Sequence, residues 1–399
     1  MRRATIAWSA AFAVGAAGIV VSCTDSPTEP AQEQLDPTLV STGKDIFRFD
    51  TFGDEKYWTD TLRMHEVIQA AVTPAAALGV GLKVDADALP AAVKDALAKG
   101  TIDLNSPATT VALLKLNAVV GLAGQVQTVN GRDTLVRVGI TCALCHSTVD
   151  NSFAQGIGKR LDGWPNGDLN PGAIVALSPA VSPSVKAILR TWGAGMYDPR
   201  INVDGLSTPI VIPPAYGLLG VDKETFTAEG PVSYWNAYVA VTQMHGQGNF
   251  SDPRIGVSVV QSPDLVTSKL PALRAYQLSI DAPKPEAGSY DIAAAERGKS
   301  VFNGVAQCAS CHVGNTFTDI NAGTLHAPSE TGMDGRYAAR TATKAYRTTP
   351  LRGLARHAPY FHDGSAKTLT DVVEHYNRVR SLALTDQQKH DLVEYLKTL

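Results

Sequence analysis

With 399 residues, 44% hydrophobic and 18% charged, the chain has ordinary globular composition, which excludes a long disordered protein and a multi-span membrane protein. A formal charge of −3 leaves no electrostatic footprint for nucleic acid. The five cysteines, at 23, 142, 145, 308 and 311, fall as two equally spaced pairs and an N-terminal singleton, a pattern of attachment points rather than scattered buried thiols.

Arg2 and Arg3 precede an apolar run from Trp8 to Val21 that is too short for a spanning helix, so residues 1–22 read as a signal peptide. The run ends in Val20-Val21-Ser22-Cys23, which resembles a bacterial lipobox and predicts a lipidated N-terminus at Cys23. Ordinary cleavage near Ser22 would leave Cys23 incidental. The stretch from Thr24 to Thr42 is rich in Pro, Ser, Thr and acid, and predicts a polar tether over 23–42 that holds a folded body off a membrane. Helices are expected over 90–99 and 108–120. Val126–Val129 and Thr134–Val138, joined through Asn130-Gly131, predict a β-hairpin.

Cys142-Ala143-Leu144-Cys145-His146 follows, and Cys308-Ala309-Ser310-Cys311-His312 repeats its pattern. Each C-x-x-C-H is the attachment signature of a c-type haem. The three-residue step lets both thiols reach the vinyl groups of one porphyrin, and the adjacent histidine turns under the ring to ligate iron. A thioredoxin-like dithiol does not explain a histidine after both copies. A zinc site built from both pairs would have to be shared across two domains. Two covalently bound haems c, with His146 and His312 as proximal ligands, are therefore expected.

Residues 151–260 are loop-rich, with Gly/Pro clusters at 163–172 and 213–220. A helix is expected over 264–279 and a linker over 281–288. From Ser289 a compact haem domain follows. An amphipathic helix over 292–302 leads into the second motif, and a last helix opens on a capping box at Thr385 and Gln388, with Leu392, Val393, Leu396 and Leu399 on its apolar stripe. The expected fold is mainly α: two cytochrome c-like haem domains, 43–280 enlarged by loops and a small hairpin, and 289–399.

The sixth position at each iron decides its chemistry. Near the second haem, Leu369, Val372, Val373 and Tyr376 fall at i, i+3, i+4 and i+7, which puts Tyr376 on a buried helix stripe, as a ligand or as a packed core tyrosine. Met333, in a Gly-bearing loop, is the rival ligand, and His375 and His326 are weaker candidates. For the first haem the candidates are Met244 and His245, followed by glycines, with Met196 third; each is otherwise core filler or a satisfied loop residue. Arg347 and Arg352 would suit haem propionates, with a solvated arginine the alternative for either. Trp164 and Trp192 would suit an inter-haem route, although large aromatics also serve simply as core.

Residues 346–377, YRTTPLRGLARHAPYFHDGSAKTLTDVVEHYN, resemble the C-terminal haem domain of bacterial dihaem cytochrome c peroxidases and the related maturation enzyme MauG. The close resemblance covers roughly 289–399, and the N-terminal half shares only its haem motif and general plan. The resemblance implies a Met or, as in MauG, a Tyr as ligand at the position of Tyr376, and a haem-environment role for His362. It also allows a calcium ion between the domains and a homodimer. One departure stands out: those peroxidases carry a displaceable histidine after the first motif and a glutamate acid/base farther on, whereas residues 147–223 contain neither His nor Glu. Glu224, Glu229 and His245 come next. Peroxide heterolysis needs a positioned proton-transfer group, so the first reading is an electron-carrying dihaem cytochrome of the cell envelope or periplasm. It would exchange electrons with a small redox protein or a quinol-linked donor or acceptor. The alternative is a peroxidase or MauG-like oxidase that reduces hydrogen peroxide at the N-terminal haem.

Overall fold

The computed structural model describes residues 34–399; the expected signal peptide and Cys23 lie outside them. Among the described residues no helix is long and apolar enough to cross a membrane. The first helix, α1 (Pro37–Phe49), starts inside the expected tether, so the polar tether does not extend to Thr42. Asp36 caps it by accepting from the Thr38 backbone N–H at 2.8 Å, and Pro37 presets the first turn. Its first turns are exposed, and the helix is held downstream by buried Gly43, Ile46 and Phe47. Composition over 24–42 could not register an anchor that lies beyond it.

Helices α2 (Ala91–Ala98) and α3 (Pro107–Lys115) occupy two of the expected spans, but α3 stops five residues short. Asn117 turns left-handed (φ 52°), and Val119 and Val120 then pair with the backbone around Lys83 and Val84. Strands β1 (Leu122–Val129) and β2 (Arg132–Ile140) form the hairpin, turning at Asn130 (φ 50°) and Gly131 (φ 76°). Such a two-residue turn with both central φ positive matches strand twist. The hairpin presses Leu135 and Val138 onto Leu114 of α3 in a core shared with Leu144 of the first haem motif. Ala143, one residue earlier, belongs to a second core with Phe47, Trp235, Tyr238 and Tyr276. The motif is thus wedged between two cores. Among the described residues every sheet is two-stranded, and the structure is mainly helical with small β elements.

Four longer helices follow in the second half: α4 (Leu270–Leu278), α5 (Ile292–Asn303), α6 (Leu369–Val379) and α7 (Asp386–Leu396). The expected 264–279 helix opens instead as a short 3-10 turn, Thr267–Lys269, before α4. Both α6 and α7 carry reciprocal capping boxes, Thr368 with Asp371 and Thr385 with Gln388.

Two helix pairs cross in the same way. Gly43 of α1 meets α4 so closely that a Cβ there would strike the Ala272 carbonyl, 2.5 Å from its carbon and 2.8 Å from Tyr276 Cβ. Gly298 of α5 meets α7 at the same two distances, 2.5 Å from the Asp391 carbonyl carbon and 2.8 Å from Tyr395 Cβ. In each pair a phenylalanine four residues on packs edge-on against that tyrosine: Phe47 on Tyr276 at 5.4 Å, and Phe302 on Tyr395 at 5.2 Å. The sequences Gly43-Lys-Asp-Ile-Phe47 and Gly298-Lys-Ser-Val-Phe302 therefore encode one packing unit twice.

The stretch 281–288 joins the halves without holding them apart. The Val211 backbone N–H donates to the His362 carbonyl at 2.8 Å. Arg340 pairs with Asp198 at 2.8 Å and Asp204 at 2.7 Å, and Arg352 donates to the carbonyls of Gly217 and Leu219 at 2.7 and 2.6 Å.

Candidate haem sites

Both C-x-x-C-H motifs open into one mostly apolar cavity of about 960 Å³, lined by Cys142, Cys145 and His146 and by Cys308, Cys311 and His312. In the first, His146 Nδ1 lies 3.1 Å from the Pro213 carbonyl oxygen; in the second, His312 Nδ1 lies 2.9 Å from that of Phe317. A carbonyl only accepts, so each ring donates from Nδ1 and keeps its Nε2 lone pair for a metal, the orientation that ligating histidines adopt. Burial pushes His146 down to about 4 and lowers His312 as well, so both rings are neutral and able to ligate.

None of these four thiols is in a disulfide. Burial raises Cys142 and Cys145 to about 12 and Cys308 to about 11. A redox-active dithiol needs the opposite shift, a depressed thiol. Paired thiols, a preset histidine nitrogen and an apolar cavity at each motif fit a covalently held porphyrin.

Of the first-site candidates, Met244 is buried in the core beside Phe47 and Tyr238 while reaching the cavity wall, and its carbonyl accepts from Trp58 Nε1 at 3.1 Å. Met196 pairs with Val211 in a short strand and does not line the cavity. His245 does line it. Its ring stacks on Tyr57 with centroids 3.7 Å apart, and its Nε2 lies 3.3 Å from Asn202 Nδ2. Its backbone is left-handed (φ 63°), an uncommon state for a non-glycine residue that clusters at functional sites. Burial lowers its pKa, which keeps the ring neutral. Next to it Gln243 accepts from the Tyr197 hydroxyl at 2.6 Å. The two glutamates are engaged elsewhere: Glu229 pairs with buried Arg200, and Glu224 Oε2 meets Arg347 Nη1 at 3.1 Å.

At the second site Tyr376 lines the cavity, and burial, then the neighbouring Cys308 and Cys311, push its phenol up to about 12. Met333 also lines the cavity but packs with Tyr337 and Tyr346. His375 is turned aside to the Thr331 carbonyl at 2.8 Å. His326 is tied to Asp319 at 3.0 Å, Glu330 at 2.9 Å and Thr348 at 3.0 Å. His362 faces the cavity and shares a 3.0 Å hydrogen bond with the Tyr346 hydroxyl. Arg352 spends its guanidinium on backbone carbonyls, whereas Arg347 Nε is buried without a partner. Trp164 packs edge-on against Tyr216 at 6.0 Å away from the cavity wall, and Trp192 reaches the wall with its Nε1 on Ser207 at 2.9 Å.

Residues 295–399 match the family model for cytochrome c. They are a cytochrome c domain. The chain is also similar to MauG and to cytochrome-c peroxidases over part of its length. The chain is 32% identical over 121 residues to the methylamine utilization protein MauG of Methylorubrum extorquens, covering 26% of this chain and 34% of that one. It is 28% identical over 151 residues to the cytochrome-c peroxidase IdrP1 of Denitromonas iodatirespirans, covering 27% and 40%. The match thus spans well under half the length of the curated relatives. A solved MauG-like protein associated with microbial copper homeostasis aligns at a TM-score of 0.35 and 22% identity, over 49% of this chain and 74% of that one. Around this cytochrome c domain, sequence reasoning missed Tyr57, Asn202 and the Glu224–Arg347 pair, whose partners lie far apart along the chain. One signal for the architecture was legible: the Gly-Lys-x-aliphatic-Phe repeat at 43–47 and 298–302.

Proposed function

We propose that the chain is a dihaem c-type oxidoreductase of the peroxidase and MauG kind, with peroxide reduced at the first haem and electrons supplied through the second. The observation that carries this reading is the single cavity shared by both attachment motifs, each with its histidine preset for iron. The repeated Gly–Tyr helix crossing supports a cytochrome c-like domain in each half. The electron-carrier reading favoured by the sequence gives way here: the curated relatives are named for MauG and for cytochrome-c peroxidase, and His245 lines the cavity into which the first motif opens.

Bound haem would supply the iron for electron storage and peroxide reduction, which consumes two electrons and two protons per peroxide to give two waters. His146 and His312 hold their Nε2 lone pairs toward the cavity. His245 is the side chain we assign to proton handling: it is neutral, braced by Tyr57 and Asn202, and fills the role for which residues 147–223 offer no glutamate. General acid–base groups contribute about 10²–10⁴-fold in rate. His245→Gln is expected to slow the peroxide-driven spectral change, followed by stopped flow, by about that factor at unchanged haem content. An unaltered rate would remove His245 from the mechanism.

Tyr376 is the ligand we assign to the second haem, ahead of Met333, because Tyr376 lines the cavity while Met333 packs into a side core with Tyr337 and Tyr346. Tyr376→Phe is expected to change the absorption and EPR signals of one haem, and Met333→Leu to leave them as they are. The reverse pattern would give the position to Met333.

A further inference from the structure

Tyr234 lies on a short helix, Val232–Tyr238, and donates its hydroxyl proton to Asp252 Oδ2 at 2.7 Å. A carboxylate can keep a proton that it receives, whereas an amide carbonyl cannot. Tyr238 and Tyr216 donate to the carbonyls of Pro199 and Gly353 at 2.6 and 3.1 Å, so losing an electron would leave their protons nowhere to go. Asp252 is itself fixed. Arg254 grips it with Nε on Oδ1 at 2.9 Å and Nη2 on Oδ2 at 2.7 Å; Asp252 is buried, and the Arg254 side chain is half exposed. The half-buried Tyr234 ring rests on Gly230, where a Cβ would fall 2.5 Å from the ring Cγ.

The next residue connects this pair to the cavity. Trp235 lines the cavity wall, shares a core with Ala143 of the first haem motif, and meets the Tyr234 ring edge-on at 5.6 Å. Trp235 Nε1 donates to the Glu224 carbonyl at 3.0 Å, so an oxidised indole keeps its proton and passes the electron vacancy on. Charge does not choose between the two rings. Trp235 faces the Arg200 guanidinium at 5.6 Å and Tyr234 that of Arg254 at 5.7 Å, and each arginine carries its own carboxylate, Glu229 or Asp252. The proton acceptor does choose, and of the two only Tyr234 has one.

We propose that Tyr234 is a redox-active tyrosine through which oxidising equivalents leave the haem cavity for one-electron donors in solvent. This rests on the peroxide-reducing reading above. Tyr234 gives one electron through Trp235 to the peroxide-oxidised haem, and its proton moves to Asp252. One O–H bond breaks, another forms, and a neutral phenoxyl radical remains. A donor in solvent then returns the electron, and Asp252 returns the proton. Arg254 holds the Asp252 carboxyl down to about 2, but a phenol that has lost an electron is a far stronger acid, so the proton still runs to the carboxylate. The charge then left on Arg254 faces water. Tyr276 is the internal comparison: it donates to the Asp162 carboxylate at 2.5 Å, yet its ring packs on Phe47, which is hard to oxidise, and neither ring lines the cavity.

The test adds peroxide to the full haem-loaded protein without a reductant and records the EPR spectrum after freezing. A nitroxide scavenger in a parallel sample tags the radical covalently for peptide mass spectrometry. Expected are a tyrosyl signal, a tag on Tyr234, and discharge of the signal by ascorbate. Tyr234→Phe is expected to lose signal and tag at unchanged haem content, and Tyr276→Phe to keep both. A signal that survives Tyr234→Phe, a tag found only elsewhere, or a radical that ascorbate leaves untouched overturns the proposal. Should Tyr234→Phe fail to fold, Asp252→Asn keeps the ring and removes the proton's destination, so the signal must fall; an undiminished signal counts against the pair. Haem absorption that changes with peroxide while no radical forms refutes the exit alone. Haem absorption that ignores peroxide sinks the peroxide-reducing reading, and the exit with it.

Discussion

Replacing both Cys142 and Cys145 by alanine is expected to leave one covalent haem where the wild-type chain carries two, and to abolish reaction with peroxide. The two sites are built separately. The second motif follows α5 and packs against a core of Phe302, Leu354, Leu392 and Leu396, separate from the two cores that hold the first motif. Haem at His312 is therefore expected to survive the change, with its absorption spectrum intact. The first motif is wedged between two cores through Ala143 and Leu144, which the double substitution leaves in place, so the apoprotein half retains its packing. Pyridine haemochrome per protein and intact mass give the haem count, and absorption changes on adding peroxide give the reactivity. Two haems remaining, or peroxide reactivity undiminished, would mean that the first motif is not the reacting site.

The second large effect concerns folding. Gly298→Ala adds a single methyl group, yet that carbon would lie against the Asp391 carbonyl and 2.8 Å from Tyr395 Cβ. No rotamer relieves a clash with backbone, so α5 and α7 must separate. Separation weakens the Phe302–Tyr395 contact at 5.2 Å and the two-pronged pairing of Arg297 with Asp391 at 2.8 and 2.7 Å. Overpacking of this kind costs about 1–3 kcal/mol where side chains can yield; against main chain the upper end, about 3 kcal/mol or more, is expected. Thermal unfolding and haem incorporation measure it, and Gly43→Ala should reproduce the effect in the N-terminal half. Wild-type melting in both variants would contradict the close crossings.

The chemistry of attachment was legible because it is local. Two thiols and a histidine must be contiguous to bind one porphyrin, so both haem motifs stand in the sequence unaided, as do the Thr385–Gln388 cap and the Asn130-Gly131 turn. The surroundings of the haems were not, because folding assembles them from distant segments: Tyr57 stacks on His245, and Glu224 meets Arg347 across the two halves. Order along the chain points to electron carriage because 147–223, where the family resemblance implies an acid/base, holds neither His nor Glu. A proton-transfer group needs a position in space, and His245 reaches the wall from beyond that window. The tether boundary lies earlier than composition suggests for a related reason: α1 starts within the polar stretch but is anchored by Gly43, Ile46 and Phe47 beyond it. The repeated Gly-Lys-x-aliphatic-Phe was visible throughout, but only the matching crossings onto Tyr276 and Tyr395 show what it encodes.

The most direct test of a dihaem enzyme is the EPR and absorption spectrum of the purified protein, oxidised and half-reduced, before and after peroxide. Half-reduction is expected to produce a high-spin signal from one haem that vanishes when peroxide is added and is missing from Cys142→Ala/Cys145→Ala. Two low-spin haems at every redox level, unmoved by peroxide, would contradict it and leave an electron carrier.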